Sequence, residues 1–190
     1  MSTPTAVHRP AAPVLDERRI LLVRAAVGLL WAVAVVVALG GDATRTDTEV
    51  PVVAALLLAA YPSIDVLASL RATRDAGPSG RLARVTATVG ILAVAAVAVA
   101  SLTSDAGATL AAFGAWAAVS GALQLVVAVR RRGERGRPAM IVSGGLSTVA
   151  GLSFVAAAGR TDADLVTLAG YMAVGAVLYL VSASRTRVAR

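Results

Sequence analysis

The stretch "ATLAAFGAWAAVSGALQLVVAVRRRGERGR", residues 108–137, decides the fold. Residues 108–129 contain no charged side chain, and the run ends abruptly at Arg130, Arg131, Arg132, Arg135 and Arg137. About 20 apolar residues at about 1.5 Å rise per residue cross the hydrocarbon of a bilayer. Backbone N–H and C=O groups cannot go unpaired in lipid, and period-2 alternation is absent, so the state predicted for this run is a helix. The arginine cluster at its end reads as a stop held on the cytoplasmic side.

Working outward, the same pattern recurs. Apolar spans are predicted at 20–40, 50–70, 85–102, 108–129, 139–158 and 164–184, in a chain that is 57% hydrophobic and 15% charged. A soluble domain of this size carries about 25% charged residues. The expected fold class is therefore all-α integral membrane, with six transmembrane helices. Residues 1–19 are Pro/Ala-rich and polar and read as a disordered cytoplasmic tail; 20–184 form the transmembrane domain; 185–190 are a basic cytoplasmic tail. The first apolar run is longer than the core of a secretory signal and follows Asp16 and Glu17, so it is expected to be an uncleaved span.

Every basic residue other than His8 is an arginine. All of them except Arg45 and Arg160 fall in the N-terminal region, the 71–84 connection, the 130–137 connection or the C-terminus. The intervening connections hold Asp42, Asp47, Glu49, Asp105, Asp162 and Asp164. This alternation places both termini in the cytoplasm. It also accounts for the net charge of +7, which topology explains without nucleic acid. No aromatic residue is interleaved with the arginines, and the partner they imply is the bilayer, through anionic lipid headgroups at the cytoplasmic face. Whether the chain forms a homo-oligomer is left open. With no cysteine and His8 as the only histidine, neither a metal site nor a cofactor nor a catalytic centre is expected. The chain reads as non-enzymatic.

The quoted stretch is also one copy of a repeat. "AAYPSIDVLASL" (59–70), "GAWAAVSGALQL" (114–125) and "AGYMAVGAVLYL" (169–180) align without gaps at a spacing of 55 residues. Tyr61, Trp116 and Tyr171 coincide, as do Ile64, Val119 and Val174, and Leu70, Leu125 and Leu180. The preceding spans match more weakly at "VGLL" (27), "VGIL" (89) and "GGLS" (144). The predicted architecture is three tandem helical hairpins of like orientation. It lacks the inverted symmetry of many transporters.

Small residues recur at heptad spacing, at Gly107, Gly114, Gly121 and Ala128 in the fourth span and Gly144, Gly151 and Ala158 in the fifth. Such faces let membrane helices approach closely. The repeated hairpin, carried by "FGAWAAVSGALQLVVAVRRR" and "GGLSTVAGLSFVAAAG", resembles the HdeD-like family of small bacterial membrane proteins. The likeness covers nearly all of residues 20–184. It implies a six-helix inner-membrane protein of unassigned biochemical activity, with a role in acid or envelope stress tolerance. The first hairpin departs from the pattern, with Pro62 and Asp65 where the fourth span has Ala117 and Ser120.

Residues four apart share a helix face, so Tyr61, Asp65 and Ser69 form a line down the second span. Their equivalents are Trp116, Ser120 and Gln124, then Tyr171, Gly175 and Tyr179. Polar groups at this depth should face protein or a wet cavity. Around a pseudo-threefold axis the lines would converge, giving a candidate polar site of Asp65, Arg24, Tyr61, Ser69, Ser120, Gln124 and Tyr179. Asp65 and Arg24 lie at comparable depth, which makes a salt bridge the plainest expectation. A small channel or transporter centred on Asp65 is the alternative. Pro62 should kink its helix and free the carbonyl of Leu58.

Overall fold

The computed structural model describes residues 14–40, 49–72, 78–130, 137–160 and 164–185. The helices are α1 (Val14–Leu39), α2 (Val52–Ala60), α3 (Ser63–Ala72), α4 (Pro78–Thr103), α5 (Ala106–Arg130), α6 (Arg137–Ala157) and α7 (Val166–Arg185). Among the described residues there is no strand. Five segments are individually long and apolar enough to cross a membrane: Leu21–Leu39, Gly80–Thr103, Ala106–Arg130, Pro138–Ala157 and Val166–Ser184. The protein is all-α and multi-pass.

Three boundaries differ from expectation. The helix α1 begins at Val14, so residues 14–19 of the expected tail are helical. The third span, expected over 85–102, starts at Pro78, because proline is well placed in a first helical turn, where its missing N–H costs nothing. The second span is interrupted outright where a kink is expected. It divides at Tyr61 and Pro62 into α2 and α3. Residues 1–13 and 186–190 of the expected tails lie outside the described residues, as do Arg74, Arg131, Arg132 and Arg135.

The ends of the helices are set locally. Gly40 closes α1 in a left-handed conformation (φ 68°), the position where glycine carries no Cβ penalty. Asp105 caps α5, its Oδ1 accepting from the Ala108 N–H at 2.7 Å, and Asp164 accepts from Val166 N–H in the same way at 2.7 Å. Asp105 and Asp164 thus both cap helix N-termini. Within the spans, the hydroxyls of Thr86, Thr148 and Ser182 donate to carbonyls four residues back, which satisfies them without water.

Packing is most extensive between α5 and α6 and between α1 and α7, followed by α3 and α2 on α4. The expected hairpin partners α4 and α5 also pack, whereas α1 with α2 and α6 with α7 touch less. The tightest joins are therefore α5 with α6 and α1 with α7, rather than the expected partners α1 with α2 and α6 with α7. Small residues line these seams. A Cβ on Gly121 would lie 2.6 Å from Thr148 N and 2.8 Å from Gly144 O, and a Cβ on Gly114 would lie 2.8 Å from Gly151 O. Because the order of contacts runs oppositely on α5 and α6, the two helices are antiparallel. On α1, a Cβ at Gly28 would meet Ala176 Cβ at 3.0 Å, and Gly90 on α4 faces Val66 on α3.

Candidate intramembrane site

The centre of the bundle is aromatic. Of the two Trp, three Tyr and two Phe in the chain, all but Tyr179 belong to one cluster. Tyr61 lies 6.4 Å from Trp31, 6.0 Å from Phe113 and 5.9 Å from Trp116, measured between ring centroids. Phe113 is 5.0 Å from Trp116 and 6.0 Å from Tyr171, and Tyr171 is 5.9 Å from Phe154. Most of these contacts are edge-to-face, the arrangement favoured by the ring quadrupole. The cluster joins α1, the α2–α3 break, α5, α6 and α7. In lipid, where no hydrophobic force draws helices together, such interlocking is what holds them.

Two polar bonds tie the cluster to backbone. The Trp31 indole N–H donates to the Leu57 carbonyl at 3.1 Å, near the end of α2 where Pro62 interrupts the helical pattern. The Ser63 hydroxyl donates to the Ala60 carbonyl. Side-chain donors, one from α1 and one from the start of α3, thus bond two carbonyls of the last turns of α2 beside the break, as a non-aqueous environment favours. On the opposite side, the buried Ser147 hydroxyl donates to the Ala117 carbonyl at 3.1 Å and lies 2.6 Å from the Tyr171 hydroxyl. Ser147 has one proton to give, so Tyr171 is the donor in that second bond. This triad joins α5, α6 and α7.

The residues of the expected polar line separate from one another. Tyr61 and Trp116 are in the central cluster, but Ser120 is half-buried further along α5. Gln124 is directed at α6, its Nε2 donating to the Met140 carbonyl at 3.5 Å. Tyr179 is directed at α1, with the Arg24 guanidinium 5.6 Å from its ring centroid. Ser69 is half-buried on α3. Asp65 belongs to α3, and its side chain lies outside the described residues. The divergence has a geometric cause. A four-residue step turns an α-helix about 40° beyond a full revolution, so after eight residues the line has rotated about 80°. A side chain aimed at the centre at Trp116 is consequently aimed at the neighbouring helix by Gln124.

Trp31, Phe113, Phe154 and Ser147 are not in the candidate set read from sequence, although they build the centre. Phe113 carried a usable signal. Its 55-residue equivalents are Leu58 and Leu168, and all three are fully buried. Trp31 and Phe154 lie on α1 and α6, where the repeat is weak and gives no such alignment. A separate cavity of about 250 Å³ lies at the Asp105 end of α4, lined by Glu49, Val52, Ser101 and Ser104 among others. It shares no residue with the aromatic cluster. Among the described residues, no group of three or more His, Cys, Asp or Glu is placed to hold a metal.

Residues 82–156 match the profile of a family described as a short repeat of unknown function, DUF308. The matched stretch runs from the second turn of α4 through α5 to the last turn of α6, and so contains all four glycines of the α5–α6 seam. No curated protein and no solved structure matches the chain. Across α4, α5 and α6, which is less than half of the chain, the protein is thus similar to the DUF308 repeat, the domain associated with the HdeD-like family of small multi-pass membrane proteins.

Proposed function

We propose that this is a non-enzymatic bacterial inner-membrane protein of the HdeD-like kind, a compact helical scaffold acting in acid or envelope stress tolerance. Its six spans are three tandem hairpins of about 55 residues, with both termini in the cytoplasm and the arginine-rich side against anionic headgroups. The observation that carries the scaffold reading is the meeting of Tyr61, Trp116 and Tyr171, one from each copy of the repeat, in a single cluster around Phe113. Equivalent seams support it as well. Val66, Gly121 and Ala176 are 55 residues apart in succession, and they face Gly90, Gly144 and Gly28 respectively.

Rings fill the centre on which a polar conduit would have to run. The scaffold reading therefore predicts background flux of protons and small solutes in proteoliposomes. Flux that Asp65→Asn abolishes would overturn it in favour of a channel or transporter. The stress role is tested by deleting the gene and measuring survival at low pH, with complementation. Survival unchanged by deletion would remove that role and leave the scaffold standing. Reporter fusions at the two termini test the orientation; a C-terminal alkaline phosphatase fusion that is active would reverse it.

A further inference from the structure

Arg24 is an exposed charge inside the apolar segment Leu21–Leu39. It lies five residues beyond Arg19, about 7–8 Å further along the helix axis. At that depth an arginine keeps its aliphatic stem in hydrocarbon and extends its head toward the interface. What sets Arg24 apart from Arg18 and Arg19 is its position on the α1–α7 seam. Gly28, one turn deeper, lies close against Ala176, and this fixes Arg24 beside Tyr179, where the guanidinium sits 5.6 Å from the ring centroid. Tyr179 is itself 38% exposed. The neighbouring Ser182 hydroxyl is engaged by its own helix at the Leu178 carbonyl.

We propose that Arg24 and Tyr179 form a seat for the phosphate of an anionic glycerophospholipid. The ring holds the guanidinium plane before any lipid arrives, and the guanidinium fork matches two phosphate oxygens. The Tyr179 hydroxyl, at the interfacial depth typical of tyrosine, donates to a third acceptor on the headgroup. Leu22, Val23 and Val181, close to the pair in sequence, are exposed, so the same ends of α1 and α7 offer apolar surface to acyl chains. The inference rests on, and sharpens, the reading that the arginine-rich side meets anionic headgroups. It assigns that contact to one place.

The discriminating variants are those that leave net charge unchanged. The purified full-length chain, in a mild detergent, is titrated with phosphatidylglycerol or phosphatidylcholine, and bound lipid is counted by native mass spectrometry. The wild type should bind phosphatidylglycerol more tightly. Arg24→Lys loses the fork and most of the ring contact, and Tyr179→Leu loses the ring and hydroxyl; each should weaken phosphatidylglycerol binding about fivefold, as expected for loss of one partly desolvated cation–π contact. Circular dichroism checks that both variants are folded, and the half-exposed Tyr179 serves if Arg24→Lys is not. Wild-type binding in both variants would overturn the seat while leaving the general headgroup reading intact. Equal wild-type binding of the two lipids would overturn both.

Discussion

Gly144 and Gly145 are adjacent on α6, yet alanine should act oppositely at the two positions. A Cβ on Gly144 would lie 2.9 Å from Gly121 O, 2.9 Å from Leu125 N and 3.2 Å from Leu125 Cα. All three are backbone atoms of α5, which cannot rotate aside. A methyl group needs about 3.5 Å, so the helices must separate by about 0.5 Å. A gap of that size forfeits about a quarter of each dispersion contact it opens, and the seam around Gly114, Gly121 and Gly151 is made of such contacts. Overpacking of this kind costs about 1–3 kcal/mol. At Gly145 a Cβ would meet nothing within 4 Å. Alanine there should be neutral, or stabilising by up to about 1 kcal/mol through helix propensity. Unfolding by SDS in mixed micelles, followed by fluorescence of the buried Trp116 on α5 and by circular dichroism, measures both. Because the two sites share a helix and a depth, propensity and lipid effects cancel in the comparison. Equal shifts, or a larger loss at Gly145, would refute the seam.

Three further substitutions test the supports of the aromatic centre and one helix end, each by the same unfolding measurement. Tyr171→Phe keeps the ring and removes the hydroxyl that donates to Ser147; it should cost about 0.5–1 kcal/mol, the range found for interhelical hydrogen bonds in membranes. Trp31→Phe retains an aromatic beside Tyr61 and withdraws the donor from the Leu57 carbonyl, at a cost of about 1 kcal/mol. Asp105→Ala uncaps α5 and should cost about 1 kcal/mol, recovered largely by Asp105→Asn. An unchanged midpoint in any of these variants would show that the bond in question contributes nothing to stability.

The spans were legible in the sequence because hydrocarbon thickness and the need to pair every backbone group leave few solutions for apolar runs of this length. The break at Tyr61 and Pro62 was visible in outline, since proline supplies no N–H to the helical ladder. What the residues could not disclose was that the Trp31 indole and the Ser63 hydroxyl bond carbonyls of α2 just before it. Trp31 is about thirty residues away in the chain, and nothing in its local pattern marks it as a donor to α2. The glycines carried a correct message about close approach, and the partners of that approach were silent.

The reason is the solvent. In water, an amphipathic stripe announces which side of a helix is buried, because exposing it is costly. Here lipid is as apolar as the core, and leucines and valines lie outward on every span: Val37 on α1, Leu92 on α4, Val149 on α6 and Val177 on α7 are all exposed. Sequence therefore determined which runs are apolar enough to lie in a membrane, and that three segments share one pattern beginning at Tyr61, Trp116 and Tyr171. Only the tertiary structure decided that those three rings gather around Phe113, that α5 grips α6 while α1 closes on α7, and that Gln124 and Tyr179 are directed at neighbouring helices. Those outcomes depend on steric fit between distant surfaces and on the 40° drift of a four-residue line, neither of which hydrophobicity encodes.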